Sequence, residues 1–330
     1  MRDYHSIYRT ETPEFLRALC ETPAMRRLGG VGMNCGCEYT AFPRFAAIGS
    51  YSRLEHSLGA ALIVWRFTRD EKQAAAALLH DIATPVFAHV VDFLRGDYLE
   101  QTATESDTAE LIRTDAALVA ALRARGLRPE DVEDYRRFPV ADNPSPRLAA
   151  DRLDYTCGNA VNFGLSDCAE LGELFSDLRV GENEFGGTEL VFADADKAAR
   201  FAAIALDCSR IYVSDADRYA MQRLSELLRA ALAAGVISER DLVSTEETVI
   251  AALRADPALA AEWDAFRALA RVERADTPDG REGWRKIFAK RRRIDPFVAG
   301  RGRVSALDPA FAAALGAFMN ENLDCFVLGE

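Results

Sequence analysis

Residues 51–92 read YSRLEHSLGAALIVWRFTRDEKQAAAALLHDIATPVFAHVVD. This segment contains three of the four histidines in the 330-residue chain, namely His56, His80 and His89. Histidine supplies both metal ligands and proton-transfer groups in proteins. We therefore expect the chemistry of the protein to centre on this segment.

The segment contains two predicted helices. Apolar residues recur every three or four positions between Leu54 and Trp65, which is typical of an amphipathic helix with one buried face. Residues 74–79 are all apolar and predict a second helix that is buried on every side. The adjacent His80 and Asp81 lie at the C-terminal end of this second helix.

The His80-Asp81 pair indicates a metal site. Burying a carboxylate without a partner is costly, and one divalent ion (Mn, Mg, Fe, Ni, Co or Zn) supplies that partner. Because His56, His80 and Asp81 leave the coordination incomplete, we expect a further carboxylate. The candidate is Asp151 in the segment LAADRLDY, residues 148–155, and Asp154 is the alternative.

Three phrases of the sequence resemble a known family. They are RLEHSLG at residues 53–59, LLHDI at residues 78–82 and ADRLDY at residues 150–155. In combination they are similar to the motifs of HD-domain metal-dependent phosphohydrolases, and most similar to the branch that contains the dNTP triphosphohydrolases. The resemblance covers roughly residues 11–221. It implies an all-α helical bundle and a hydrolase that acts on the phosphate ester or anhydride bonds of a nucleotide.

The resemblance also implies roles for individual residues. One divalent ion is held by His56, His80, Asp81 and Asp151. His89 is the general acid and is oriented by Asp92, whose carboxylate we expect to raise the pKa of the imidazole towards neutrality. The substrate-binding positions are Arg53, Arg152, Tyr155, Asn159 and Tyr212. Because no histidine follows His89, a mononuclear site is favoured.

Three departures from the family pattern bear on the substrate. No histidine lies near residues 99–101, Asn159 stands where an aspartate is usual, and Ser214 and Asp215 stand where a histidine and a lysine are usual. Asp215 near a polyphosphate would repel it. A nucleoside monophosphate phosphatase, similar to a 5'-nucleotidase, is therefore an alternative. A non-catalytic nucleotide-binding regulatory module is another.

The chain is predicted to have two parts. Residues 1–235 form the HD-domain core, which ends where a long helical pattern reaches Gly235, and residues 236–330 form a smaller, mostly helical accessory region. The fold is expected to be all-α with at most one small hairpin. That hairpin is expected from residues 179–180 and 189–192 around Gly186-Gly187.

The composition indicates which kinds of binding partner and which cellular location to expect. The net charge of -12 argues against nucleic-acid binding, which requires a basic surface. No run of 18 apolar residues is present, so we expect no membrane span. The seven cysteines follow no zinc-ribbon spacing, and we expect reduced thiols in a cytoplasmic protein. The expected partner is a small phosphate substrate, and the resemblance implies a homo-oligomer.

The densest positive charge lies in the C-terminal part, at Lys286, Lys290, Arg291, Arg292 and Arg293. These side chains could bind a phosphate-bearing ligand or an effector, because arginine binds phosphate through two parallel hydrogen bonds. Runs of charge are more often a solvated surface or an internal partner for carboxylates. The sequence leaves both interpretations open.

Overall fold

Helices form most of the structure, a computed structural model that describes residues 4–96 and 107–330. The α-helices in these residues are α1 (Glu14–Cys20), α2 (Pro23–Arg27), α3 (Pro43–Ala46), α4 (Arg53–Thr68), α5 (Glu71–Leu79), α6 (Val90–Arg95), α7 (Thr108–Thr114), α8 (Ala116–Arg123), α9 (Pro129–Val132), α10 (Ala150–Asn162), α11 (Cys168–Ser176), α12 (Ala195–Tyr212), α13 (Asp215–Ala233), α14 (Glu246–Ala255), α15 (Pro257–Arg267), α16 (Val304–Leu307) and α17 (Pro309–Met319). Short 3₁₀ helices cover Tyr4–Tyr8, Leu28–Gly30, Cys37–Tyr39, Tyr135–Arg137 and Asp241–Val243.

Helices α4 and α5 confirm the two predicted around the histidines. Ser52 starts α4 with a capping box, in which its hydroxyl accepts from the Glu55 amide and the Glu55 carboxylate accepts from the Ser52 amide. Asp70 caps α5 by accepting from two backbone amides of the first turn. Because α4 packs against both α5 and α10, residues from three helices meet at one place in the interior.

Two small sheets accompany the helices. The strands are β1 (Leu178–Glu182), β2 (Thr188–Phe192), β3 (Val272–Ala275), β4 (Arg285–Lys286), β5 (Phe297–Val298), β6 (Gly302–Arg303) and β7 (Phe326–Gly329). One sheet has the order β1-β2-β5-β6 and the other the order β3-β7-β4. The first pair, β1 and β2, is the predicted hairpin, with Leu178 opposite Phe192.

The prediction of an all-α fold with at most one small hairpin is wrong. A four-stranded and a three-stranded sheet are present, and β2 pairs with β5 in parallel through Phe192 and Val298. Strands β4, β5 and β6 are two residues long. Such strands are too short to produce an alternating pattern, and β7 and β2, with which β4 and β5 pair, lie far away in the sequence.

The two predicted parts of the chain share one interior. A single cluster of buried residues includes Leu224 before residue 235 and Trp263 and Val327 after it. Helix α13 packs against both α15 and β7. The division into a core and an accessory region stays a prediction.

Two further expectations concern cysteines and membranes. All seven cysteines lie in the described part of the chain, and all are free thiols, five of them buried. Among the helices of the described residues, none combines the length and apolar character that a membrane span requires.

Candidate metal centre

Three of the predicted ligands converge in the interior. Nε2 of His56 lies 3.2 Å from Nε2 of His80 and 3.2 Å from Oδ1 of Asp151, and Nε2 of His80 lies 3.6 Å from the same oxygen. One donor atom from each residue falls within 4.8 Å of the others. One ion with bonds of about 2 Å to each donor fits this spacing.

Asp81, the fourth predicted ligand, lies beside this cluster. Its Oδ2 is 3.8 Å from Nε2 of His56 and 3.7 Å from Nε2 of His80. The same oxygen accepts a hydrogen bond of 2.8 Å from Nη1 of Arg53. Imidazole nitrogens together with carboxylate oxygens form a donor set that suits first-row divalent metals.

The electrostatics of the cluster fit a cation. Burial lowers the pKa of the His56 imidazole, but Asp151 and Asp154 outweigh it and raise that pKa to about 10. Burial raises the pKa of Asp81, yet Arg53 and the two imidazoles bring it well below its usual range. The carboxylates therefore favour positive charge between the imidazoles, which a divalent ion supplies.

The far side of each imidazole is held by a hydrogen bond. Nδ1 of His80 lies 2.7 Å from the carbonyl oxygen of Ala77, and Nδ1 of His56 lies 2.7 Å from Oδ2 of Asp154. With the proton on Nδ1, each Nε2 presents its lone pair to the centre. Asp154 thus lies behind the ring of His56, and Asp151 rather than Asp154 joins the cluster.

His89 lies at the start of α6, on a backbone with positive φ at Phe87 and Ala88. Its Nδ1 is 2.9 Å from Oδ2 of the fully buried Asp92, as the pairing of these residues predicts. Its Nε2 is 3.0 Å from Nη2 of Arg292. A guanidinium can only donate, so Nε2 accepts and the proton of the neutral ring sits on Nδ1.

Asp92 raises the pKa of His89 as expected, but the expectation that this pKa lies near neutrality is wrong. Burial, together with the positive charges of Arg292 and Arg53, lowers the pKa of His89 to about 4 despite the hydrogen bond to Asp92. The sequence placed the carboxylate beside the imidazole, but it did not reveal the arginine on the opposite side of the ring. His89 is therefore a neutral acceptor in this arrangement.

Two known proteins are similar to this chain in sequence. Metal-dependent phosphohydrolase cns2 of Cordyceps militaris is 27% identical over 292 residues, which are 86% of this chain and 80% of that protein. Uncharacterized protein YdhJ of Bacillus subtilis is 27% identical over 207 residues, which are 62% of this chain and 61% of that protein. No family model matches the chain.

A solved structure shares the fold. A phosphohydrolase from Bacteroides thetaiotaomicron superposes with a TM-score of 0.63 over 97% of this chain and 96% of that chain, at 16% identity. The names of these relatives support the HD-domain phosphohydrolase superfamily that the sequence motifs resemble. The relatives and the His-His-Asp cluster support a hydrolase with a divalent metal cofactor. They do not confirm the dNTP triphosphohydrolase branch.

The predicted substrate-binding residues fall into two groups. Those that line the cavity containing the metal cluster are Arg53, Tyr155, Asn159 and Tyr212. Within that group, Nδ2 of Asn159 donates to the Tyr212 hydroxyl at 2.8 Å. Oδ1 of Asn159 is buried and has no hydrogen-bond partner among the described residues.

Arg152 forms the second group, because it does not line this cavity in the described structure. Its Nε donates to the carbonyl oxygen of Arg147 at 2.7 Å, and its Nη1 lies 3.0 Å from Asp142. Nη2 donates to Oδ1 of Asn143 at 2.6 Å. These contacts hold the turn that precedes α10, and a phosphate-binding role for Arg152 stays a prediction.

Two residues that depart from the family pattern, Ser214 and Asp215, make local contacts at the start of α13. Ser214 caps α13 by accepting from the Asp217 amide. Asp215 is 2.6 Å from Nη2 of Arg218, which neutralises its charge locally. Neither Ser214 nor Asp215 lines the cavity in the described residues. The position near residues 99–101, where the family's further histidine is missing, lies outside the described residues.

Several cavity residues were not among the predicted site residues, although the sequence left a phosphate-binding role for the basic run open. Lys290 and Arg292 of the basic run line the cavity, and so do Asn34 and Asp217. Burial raises the pKa of Asp217 to about 8. The density of positive charge at 286–293 was a usable signal for Arg292, whereas Asn34 and Asp217 gave no signal.

Proposed function

We propose that this phosphohydrolase hydrolyses a phosphate ester or anhydride of a nucleotide. One observation carries the proposal: the metal cluster and His89 line the same cavity, and aromatic and apolar side chains form part of its wall. Aromatic rings suit the flat face of a base. The aromatic and apolar residues in this wall include Met33, Phe93, Tyr155, Phe163, Tyr212 and Met221.

The donor atoms of His56, His80, Asp81 and Asp151 would hold the divalent ion. When bound, such an ion polarises a phosphoryl oxygen and lowers the pKa of water. Arg53, which is buried and faces the cluster, stabilises negative charge that develops on the phosphate. Asn159 offers its unsatisfied carbonyl oxygen to a donor on the substrate.

His89 handles the proton of the leaving group. Asp92 fixes the ring so that Nε2 faces the cavity. An anionic phosphate beside Nε2 would raise the pKa of His89 from about 4, because opposite charge favours the imidazolium. The protonated Nε2 can then donate to the leaving oxygen. His89 thus becomes an acid only when substrate is present.

A monophosphate phosphatase is the second candidate. Its support is that Ser214 and Asp215 replace the two cations that the triphosphohydrolases carry there. A regulatory module that binds nucleotide without turnover is the third. A homo-oligomeric state and a cytoplasmic location also remain proposals from the resemblance.

One assay distinguishes these candidates. The purified protein is incubated with Mn²⁺ and a panel of nucleoside mono-, di- and triphosphates, with a non-nucleotide aryl phosphate for comparison, and the released phosphate species are identified. The proposal is supported if wild type releases phosphate from a nucleotide and the His80→Ala variant does not. Phosphate from monophosphates alone selects the phosphatase, and binding without release selects the module. Hydrolysis of the aryl phosphate alone would contradict a nucleotide substrate.

A further inference from the structure

Residues 287–296 form a strap without regular secondary structure, and Ala289, Lys290 and Arg292 of this strap line the cavity. The strap is tethered at both ends, because β4 immediately before it pairs with β7, and β5 immediately after it pairs with β2. Ile287, Ala289 and Ile294 anchor it in the core. The strap therefore has a defined path across the site.

Consecutive arginines of the strap point in different directions. Nη2 of Arg291 donates to the carbonyl oxygen of Glu321, away from the cavity. The side chain of Arg293 is exposed, and its backbone carbonyl accepts from the Ser145 hydroxyl at 3.0 Å. Arg292, between them, lines the cavity.

Arg292 also stands where the phosphate chemistry is expected. Its Nη2 donates to Nε2 of His89 at 3.0 Å, which is the ring nitrogen that faces the cavity. Arg292 and the metal cluster line the same cavity, with Lys290 of the strap beside them. An anionic oxygen is a better acceptor for a guanidinium than a neutral imidazole, because charge-assisted hydrogen bonds are roughly twice as strong.

We propose that Arg292 is a substrate-phosphate-binding residue supplied by the C-terminal part of the chain, and that a phosphate oxygen of the substrate replaces Nε2 of His89 as its acceptor. This inference rests on the proposed function. It assigns the positive charge missing at Ser214 and Asp215 to a segment outside the region that resembles the family. The substrate class is a phosphate monoester or anhydride whose phosphate reaches from the metal cluster to Arg292.

The test uses inorganic phosphate as the probe. Its affinity for the full-length, Mn²⁺-loaded protein is measured by calorimetry for wild type, Arg292→Ala, Arg292→Lys and the exposed neighbour Arg293→Ala. Arg292→Ala should bind phosphate about 10- to 100-fold more weakly, the scale of a lost hydrogen bond to a charged group. Arg292→Lys should fall between Arg292→Ala and wild type, because lysine keeps the charge without the planar fork. Arg293→Ala should match wild type, and metal content should be equal in all four.

Three results would overturn the inference: wild-type affinity for phosphate in a folded Arg292→Ala that retains its metal, an equal loss in Arg293→Ala, or the absence of phosphate binding to wild type. If Arg292→Ala does not fold, Arg292→Lys decides alone, and wild-type affinity in that variant counts against the inference. Phosphate binding is measured without turnover, so its loss in Arg292→Ala alongside a wild type that hydrolyses no nucleotide would refute the proposed function and leave this inference standing.

Discussion

Asp154 tests how the metal ligands are oriented, because it contacts His56 at Nδ1, the ring nitrogen that faces away from the metal cluster. Its Oδ2 lies 2.7 Å from Nδ1 of His56 and accepts from the Tyr51 hydroxyl at 2.6 Å, while Oδ1 accepts from the Tyr8 hydroxyl. A Cβ built on Gly59 would overlap Oδ1, so the carboxylate has no room for a larger group. Asp154→Asn is the substitution that keeps its shape.

The expected magnitude follows from these three donors. An amide group has one accepting oxygen, and directing it at His56 and Tyr51 satisfies two donors, so the NH₂ group faces Tyr8. One buried hydroxyl then loses its acceptor or must reverse, which should lower the free energy of unfolding by about 1–3 kcal/mol. The imidazole also loses its anionic partner, so metal affinity should fall by about 10- to 100-fold.

Calorimetric titration with Mn²⁺ and urea unfolding of the metal-free protein measure the two effects separately. Tyr8→Phe is the matched control, because it removes the hydrogen bond to Oδ1 but leaves the charge of Asp154 and its contact with His56. The control should lose stability and keep its metal affinity. Unchanged metal affinity in Asp154→Asn, or the same loss of affinity in Tyr8→Phe, would refute the assignment of Asp154 as the residue that orients His56.

Three other predictions concern individual groups. His80→Ala and Asp151→Ala should each lose the ion, because each removes one donor of the cluster, and undiminished occupancy in metal analysis of both variants would contradict the ligand assignment. His89→Ala should keep the ion but lower turnover by about 10²-fold or more, the scale for a lost general acid, and a parallel loss of metal would make His89 a ligand instead. Burial and the Glu246 carboxylate raise the pKa of Glu38 to about 8. The folded state therefore keeps a proton that the unfolded chain releases above about pH 4.3, and wild type should lose stability as the pH rises from there to about 8. Glu38→Gln should show a flatter dependence in thermal unfolding at about pH 6 and about pH 9, and equal slopes would count against a raised pKa.

The parts of the molecule that could be predicted are those with local causes. The start of α4 could be predicted from Ser52 and Glu55. These residues are three positions apart, and the side chain of each accepts a hydrogen bond from the backbone amide of the other. The hairpin of β1 and β2 could be predicted from its turn, because Gly186 has a φ of 73°, a left-handed conformation that glycine adopts without strain. The donors of His56, His80 and Asp151 could be named because each lies in a short motif on a helix.

The choice between Asp151 and Asp154 required the structure. Both residues lie on α10 and both contact His56, so neither spacing nor residue type separates them. They differ in the nitrogen that they meet, because Asp151 faces Nε2 and Asp154 faces Nδ1. That difference depends on the rotation of one imidazole ring, which a sequence does not encode in any local pattern.

The wrong fold class and the missed role of Arg292 have one common cause. Strands β4 and β5, which break the all-α expectation, are the two that flank the strap and hold it across the cavity. Their pairing partners, β7 and β2, lie on opposite sides of the strap in the sequence, so no local window contains the information that directs Arg292 inward. Burial lowers the pKa of His89, and the positive charge of Arg292 adds to this effect, contrary to the expectation for that residue. The segment between β4 and β5 therefore adds positive charge to a site whose metal-ligand motifs lie in the helices of residues 51–155.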